Sequence, residues 1–311
     1  MFKTYRHLLE MIRFSHTIFA LPFALFSAVM AWHLGWLARE SGGTAYPGTS
    51  LGWRQFVGIW LCMVTARSAA MSLNRLADRE VDALNPRTAG RHLPAGILSV
   101  ARVRRYAAGN MIVFVLATLL FLPNWLPFYM SVPILLFLWG YSYTKRYTAL
   151  SHFWLGMALA IAPMAAWIAI RGQVVMAHPS DLLPAVVLGG AVLSWVAGFD
   201  MIYACQDYEA DVRNNLHSMP VRLGVPGALR LAAACHLITI ALLATLPEVY
   251  PHFGWIYWAG VAVIAGLLVY EHTVVRPDDL SRVNLAFFRV NALISLGLFL
   301  VGSLDLFAGG R

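Results

Sequence analysis

Nine runs of apolar residues alternate with short polar stretches along the chain, at approximately 14–34, 54–73, 105–123, 126–144, 152–170, 182–206, 226–246, 253–275 and 286–308. Each is close to the roughly 20 residues that carry a helix across a bilayer. The pattern predicts an all-α polytopic membrane protein: about nine transmembrane helices around a central cavity, in a single domain spanning residues 1–311. No linker, low-complexity tract or separate soluble domain breaks the alternation. The first run is long enough to span and has no small-residue cleavage site after it, so no cleavable signal peptide is expected.

Two polar stretches stand out because they sit at the ends of apolar runs. In the first, Asn74, Asp78 and Asp82 recur at i, i+4 and i+8. On a helix all three project from one face, with Arg67 two turns below on the same side. In the second, DMIYACQDYEAD from Asp200 to Asp211, helical spacing predicts one face for Asp200, Tyr203, Asp207 and Asp211.

Composition places this pattern in a membrane. The chain is 59% hydrophobic and 12% charged, with a mean hydropathy of +0.65; a soluble domain carries about a quarter charged residues. A net charge of +8 could suggest nucleic acid, but its distribution explains it without one. With the N-terminus in the cytoplasm, eighteen of the 23 Lys and Arg residues flank the cytoplasmic ends of the runs. Only Arg39, Arg54, Arg171 and Arg311 lie on the other side, and Arg67 lies within a run. The positive-inside rule then predicts a cytoplasmic N-terminus, a C-terminus on the opposite side, and a cavity open to the cytoplasm with both acidic stretches at its mouth. The expected setting is the bacterial inner (cytoplasmic) membrane, with no nucleic acid and no protein partner. Cys62, Cys205 and Cys235 all lie in apolar runs and read as reduced packing residues.

Depth sharpens the picture. A helix entering near Trp53 has crossed the hydrocarbon by about Ser72. Asn74, Asp78 and Asp82 therefore stand at the boundary, and Arg67 stands deeper. An arginine at that depth costs about 2.5–3.5 kcal/mol unless it is paired or wet, which predicts a polar cavity with Arg67 near its floor.

Seven of the fifteen acidic residues fall in the two stretches. Oxygen donors from Asp and Asn suit Mg²⁺, which keeps waters and is completed by substrate phosphates. No His or Cys spacing points to zinc. Arg67, Arg87, Arg91, Lys145, Arg146 and Arg213 lie close by in sequence. Carboxylates for Mg²⁺ beside guanidinium and ammonium donors make a diphosphate clamp, and an apolar cavity behind it suits a long hydrocarbon tail. Taken singly, each feature is commonplace. Lys145–Arg146 is an ordinary positive flank, Tyr203 an ordinary core aromatic, and Pro22, Gly156 and Pro163 ordinary helix-packing or kink positions. Two clusters at matching depth on one side of the membrane are not.

Asn74-Arg-Leu-Ala-Asp78-Arg-Glu-Val-Asp82, followed by Arg87-Thr88 and Arg91-His92-Leu-Pro94-Ala-Gly96, resembles the first signature of the UbiA superfamily of intramembrane prenyltransferases. Asp200-x-x-Tyr203-Ala-x-Gln206-Asp207-x-x-x-Asp211 resembles the second, and Tyr143-Thr-Lys145-Arg146-Tyr-Thr148 looks like the family's Y-P-F-x-K-R-x-T. The resemblance covers essentially the whole chain. It implies that Asn74, Asp78, Asp82, Asp207 and Asp211 hold Mg²⁺ and the diphosphate. Arg67, Lys145 and Arg146 would neutralise phosphate oxygens or an acceptor carboxylate, and Asp200 and Tyr203 would lie near the reacting carbon. Asp200, Tyr203 and Asp207 are then the expected catalytic residues, and Arg13 and Arg146 the expected contacts of the acceptor. The implied substrates are a polyprenyl diphosphate and a small aromatic acid.

Ala204-Cys205-Gln206-Asp207, with Leu216-His217-Ser218-Met219-Pro220-x-Arg222-x-Gly224, resembles the 4-hydroxybenzoate polyprenyltransferase-like branch, in particular members of the futalosine route to menaquinone. His92 replaces the proline of R-P-L-P, His217 stands where lysine is usual, and Thr17 replaces a proline after His16. A dihydroxynaphthoate or carboxynaphthol acceptor therefore stands beside 4-hydroxybenzoate as an alternative. A sister enzyme acting on a porphyrin, a glycerol phosphate or homogentisate is a further one. From another class, a secondary transporter or cation channel would also carry intramembrane acids, but near the midplane on broken helices. Residues 83–104 and 212–225 are expected to form a cap over the substrate.

Overall fold

The computed structural model describes residues 2–12, 19–40 and 52–308. Among the described residues every regular element is helical. In chain order these are α1 (Phe2–Met11), α2 (Leu21–Glu40), α3 (Trp53–Ala77), α4 (Arg79–Leu84), α5 (Val100–Ala117) and α6 (Leu126–Tyr141). They continue with α7 (Ser151–Ala177), α8 (Leu183–Ala204), α9 (Tyr208–Arg213), α10 (Met219–Val249), α11 (Trp255–Val274), the single turn α12 (Val283–Leu285) and α13 (Asn291–Ala308).

Eight stretches among the described residues are long and apolar enough to cross a membrane: Leu21–Glu40, Trp53–Ala77, Val100–Phe121, Ser151–Ala177, Pro179–Arg213, Met219–Val249, Trp255–Val274 and Phe288–Ala308. The remaining expected run, 126–144, gives the 16-residue α6, about 24 Å long against the roughly 30 Å of a bilayer core. A 3₁₀ turn at Thr144–Arg146 then carries the chain on. Against the expected nine or so, the described residues thus hold eight stretches of spanning length and the shorter α6. The start of the first expected run lies outside the described residues, and its helix extends to Glu40, beyond the expected end at 34.

α8 lies at the centre, and its buried face includes Leu188, Val192, Trp195, Val196 and Phe199. The bilayer provides no hydrophobic force between helices, so close backbone approach through small residues has to hold them together. A Cβ on Gly156 of α7 would lie 2.4 Å from the backbone oxygen of Leu193 in α8, and one on Gly189 would lie 3.1 Å from that of Ala160. Polar ties add direction. Ser194 Oγ and Thr239 Oγ1 are 2.9 Å apart, linking α8 to α10. Trp195 Nε1 donates to Asn291 Oδ1 at 2.7 Å, and Asn291 Nδ2 donates to Glu271 Oε1 at 3.3 Å, joining α8, α13 and α11. Outward-facing Ile112, Leu136, Leu237, Val263, Leu300 and Phe307 are exposed and form an apolar exterior suited to lipid.

Both motif helices bend where a single straight helix was expected. α3 ends at Ala77, and Asp78 takes φ −90°, ψ 4° before α4 begins. Hydrogen bonds from Asp78 N to Asn74 O (2.9 Å) and from Asp82 N to Asp78 O (2.7 Å) keep the i, i+4 phase across the bend. In the second motif a 3₁₀ turn at Cys205–Asp207 separates α8 from α9, so Asp200 and Asp211 do not share one continuous helical face. α1 is an element the apolar runs do not reveal. Its Leu8 and Met11, with Ile12, pack on Leu93, Leu98 and Val103 of the segment between α4 and α5 and the start of α5.

The α7–α8 crossing generates a stability prediction. Gly156→Ala drives a methyl into the Leu193 carbonyl and should cost about 1–3 kcal/mol, lowering the thermal midpoint of detergent-solubilised protein by several degrees. Gly266→Ala, with nothing within 4 Å of its new Cβ, should leave the midpoint unchanged or slightly raised. Equal effects of the two would show that the close approach does not hold the bundle.

Candidate active site

The two bends bring the polar stretches onto one cavity of about 250 Å³. It is lined by Arg67, Asn74, Asp78, Asp82, Lys145, Arg146, Asp200, Tyr203, Asp207 and Asp211, all singled out by the sequence. Arg13 lies outside the described residues. Glu80 and Glu209, the other two motif acids, turn away and pair with Arg79 (2.9 Å) and Arg213 (3.5 Å). Arg213, expected among the clamp cations, is instead exposed, because two residues past Asp211 lies about 200° around the helix from it. Beneath the polar mouth, Phe19, Leu155, Leu159, Val196 and Phe199 form an apolar floor.

Each carboxylate in the cavity has a named partner. Asp82, buried, accepts from Arg91 NH1 at 2.6 Å, and Arg75 NH1 stands 3.9 Å from its Oδ2. Asp207, also buried, is held by Arg87, whose Nε donates to Oδ1 at 2.8 Å and whose NH2 donates to Oδ2, while Asn85 Nδ2 donates to Oδ1 at 3.1 Å. Arg87 NH1 also donates to the Tyr203 hydroxyl at 3.0 Å, with the guanidinium 5.3 Å from the Tyr203 ring centroid. The segment that follows the first motif is therefore tied to the second motif across some 120 residues of sequence. Burial lowers the pKa of Arg87, but its bonds to Asp207 and Tyr203 outweigh this and hold it above its usual value.

Asp211 pairs with Lys145 Nζ at 3.6 Å. Burial works against the Lys145 ammonium, but Asp211, Asp200, Asp207 and Asp78 together hold its pKa above the ordinary lysine value. Asp78 pairs with a neutral group, accepting from the Asn74 amide at 2.8 Å, and burial, with the Asp82 charge next to it, raises its pKa above the usual carboxylate range. Arg146 reaches back to cap the carbonyl of Ala77 at the end of α3 and stacks over Tyr143.

Sequence reasoning missed His152. It is fully buried at the start of α7, and its Nδ1 lies 2.7 Å from Asp200 Oδ2. Its Nε2 accepts the backbone N–H of Met219 at 3.3 Å, so Nδ1 carries the hydrogen and donates to Asp200. A lone histidine in an apolar run has no spacing signal. Only the fold shows what it faces. Arg75 is a second such case: counted among the loop cations, it is in fact the buried last-turn residue of α3 beside Asn74.

The donor set fits a hard divalent cation. Asp82 Oδ2 and Asp211 Oδ2 are buried oxygens without hydrogen-bond partners, and Asn74, Asp78 and Asp207 add further side-chain oxygens to the same cavity. All-oxygen ligation of this kind is that of Mg²⁺. Arg67 contributes a buried Nε donor, also without a hydrogen-bond partner, at the cavity wall.

Comparison with known proteins gives a consistent picture. The model of the UbiA prenyltransferase family matches residues 41–293. A 4-hydroxybenzoate octaprenyltransferase of Nitrosomonas eutropha is 32% identical over 244 residues, covering 76% of this chain and 80% of the relative. One from Xanthomonas oryzae pv. oryzae is 30% identical over 273 residues, covering 86% and 83%. Among solved structures, a UbiA homolog from Aeropyrum pernix K1 superposes with a TM-score of 0.76 at 26% identity, covering 96% of this chain and 98% of that one. A UbiA homolog from Archaeoglobus fulgidus bound to DMAPP and Mg²⁺ shares the fold, with a TM-score of 0.66 at 18% identity and coverage of 96% and 99%. With eight stretches among its described residues long and apolar enough to cross a membrane, this is an integral, multi-pass membrane protein, and it belongs to the UbiA prenyltransferase family.

Proposed function

We propose that this protein transfers a polyprenyl group from an allylic diphosphate to the ring of a hydroxylated aromatic acid of the 4-hydroxybenzoate class. The observation that carries this reading is the convergence of five carboxylates and three clamp cations, Arg67, Lys145 and Arg146, on one cavity with an apolar floor. The names of the relatives at 30–32% identity support the choice of acceptor. The lysine and arginine bias supports a cavity that opens to the cytoplasm, in a bacterial inner membrane.

Asn74, Asp78, Asp82, Asp207 and Asp211 are the residues that would hold Mg²⁺. When bound, the ion supplies positive charge against the departing diphosphate. The chain does the rest. Arg67, Lys145 and Arg146 bind phosphate oxygens, and the carboxylates around Lys145 keep it cationic for that task. The allylic carbon–oxygen bond breaks as diphosphate leaves, and negative charge develops where these donors already point. The Tyr203 ring screens the allylic cation. Asp200, held in place by His152, stabilises the same positive charge. The electron-rich ring carbon attacks, and the ring proton is then lost. The apolar floor of Phe19, Leu155 and Phe199 takes the start of the tail and excludes water that would quench the cation. Both oxygens of Asp207 are engaged by Arg87, so substrate entry requires Arg87 to release Asp207 and turn to the phosphates. A naphthoate acceptor is the second reading, favoured by His92 and His217 where the benzoate pattern has proline and lysine.

Three outcomes test this. Purified protein in nanodiscs with Mg²⁺, farnesyl diphosphate and 4-hydroxybenzoate should form prenylated product. Activity should fall at least about a hundredfold in Asp78→Ala and Asp207→Ala and vanish on chelation. Product with a dihydroxynaphthoate alone would move the acceptor, and absence of diphosphate binding would return the transporter reading. His152→Ala should lower kcat about 10–100-fold by analogy with lost outer-shell support, with KM for the diphosphate changed less than about threefold; His152→Gln, which keeps a donor for Asp200, should recover part of it. Trypsin cleavage after Arg87, Arg91 and Arg222 should slow when diphosphate and Mg²⁺ are both bound, and identical rates with and without them would rule out a closing cap.

A further inference from the structure

Away from the catalytic cavity, α1 and the segment between α4 and α5 bring together three metal-ligating side chains among the described residues: His7, Glu10 and His92. His7 and Glu10 are one helical turn apart on α1. His92 arrives from the segment that also carries Arg87 and Arg91, at the position where the sequence departs from R-P-L-P. His7 Nδ1 lies 3.4 Å from Glu10 Oε2, and His92 Nε2 lies 3.6 Å from the same oxygen. The three ligand atoms all lie within 4.8 Å of one another, with the imidazole rings 5.5 Å apart and tilted by 58°.

Both contacts lie beyond the roughly 2.7–3.2 Å usual for a hydrogen bond and within ion-pair range. Ligand atoms at about 2.0–2.1 Å from a tetrahedral ion stand about 3.3–3.4 Å from one another, which both contacts approach. Two further features point the same way. His7 Nδ1 is buried and has no hydrogen-bond partner. Arg6 Nε donates to Glu10 Oε1 at 2.8 Å on the exposed face of α1, and the other carboxylate oxygen is the one nearest both imidazoles.

We propose that His7, Glu10 and His92 form a zinc-class metal site, separate from the catalytic cavity, that pins α1 to the segment carrying Arg87 and Arg91. Two imidazoles and one carboxylate are the donor set of a three-ligand zinc site, with the fourth position left to water. The site adjoins the cluster of Leu8, Met11, Ile12, Leu93 and Leu98, so the ion adds a crosslink to an interface already packed. Its effect is on the mobility of the segment that holds Asp207 through Arg87.

The test uses the full chain in detergent, stripped with chelator and titrated with Zn²⁺ against a chromogenic chelator, with Co²⁺ as a spectroscopic probe. One Zn²⁺ per chain should bind, and Co²⁺ should give the visible absorption of a tetrahedral ion. His7→Ala and His92→Ala should each weaken Zn²⁺ at least about tenfold, whereas Asp78→Asn and Asp207→Asn should keep it. Trypsin cleavage after Arg87 and Arg91 should slow several-fold on adding Zn²⁺ to the wild type but not to His92→Ala. Glu10→Gln, which alters no packed side chain, replaces His92→Ala if that variant unfolds, with the same loss expected. Absence of Zn²⁺ binding, unchanged affinity in the histidine variants, or loss of Zn²⁺ only in the aspartate variants would each overturn the proposal.

Discussion

Charge compensation at the mouth of the bundle is the constraint on which the rest depends. Taking a carboxylate out of water costs several kcal/mol unless a partner and hydrogen bonds restore what water supplied. Five of them line one cavity of about 250 Å³. The protein meets this cost one acid at a time: Arg91 and Arg75 for Asp82, Arg87 and Asn85 for Asp207, Lys145 for Asp211, His152 for Asp200. Asp78 leans on a neutral amide, as Asp200 does on a neutral imidazole, and burial with Asp82 beside it raises the Asp78 pKa.

That network rests on helices brought unusually close. α7 supplies His152 and α8 supplies Asp200 and Tyr203, and the two helices meet through Gly156 and Gly189 with no room for a methyl at Gly156. The bends at Asp78 and at Cys205–Asp207 then turn the last part of each motif over the cavity mouth. A straight continuation would have carried Asp82 and Asp211 further along their helix axes. The Asp78 bend keeps its i, i+4 hydrogen bonds, which is why a helical reading of the spacing still collected side chains that line one cavity.

Much of this was legible in the sequence because it rests on local rules. Apolar run length marks the spans, the lysine and arginine bias predicts an orientation, and oxygen-bearing residues at i, i+4 and i+8 mark a ligand face whatever surrounds them. α6 came out short, since hydropathy does not report where a helix hands over to a 3₁₀ turn. α1 was invisible to a search for apolar runs because only one of its faces is apolar.

What the tertiary structure alone decided are the pairings between residues distant in sequence. His152 is one histidine in an apolar run until α8 and α10 place Asp200 and the Met219 amide on its two nitrogens. Arg87 is one of many basic residues until the fold lays it on Asp207 and Tyr203. His7 and His92, with no metal-like spacing between them, meet at Glu10 only because α1 docks on the segment before α5. Periodicity reports which face of its own helix a residue occupies. Which partner that face meets is set by the packing of whole helices, and no local pattern in this chain encodes it.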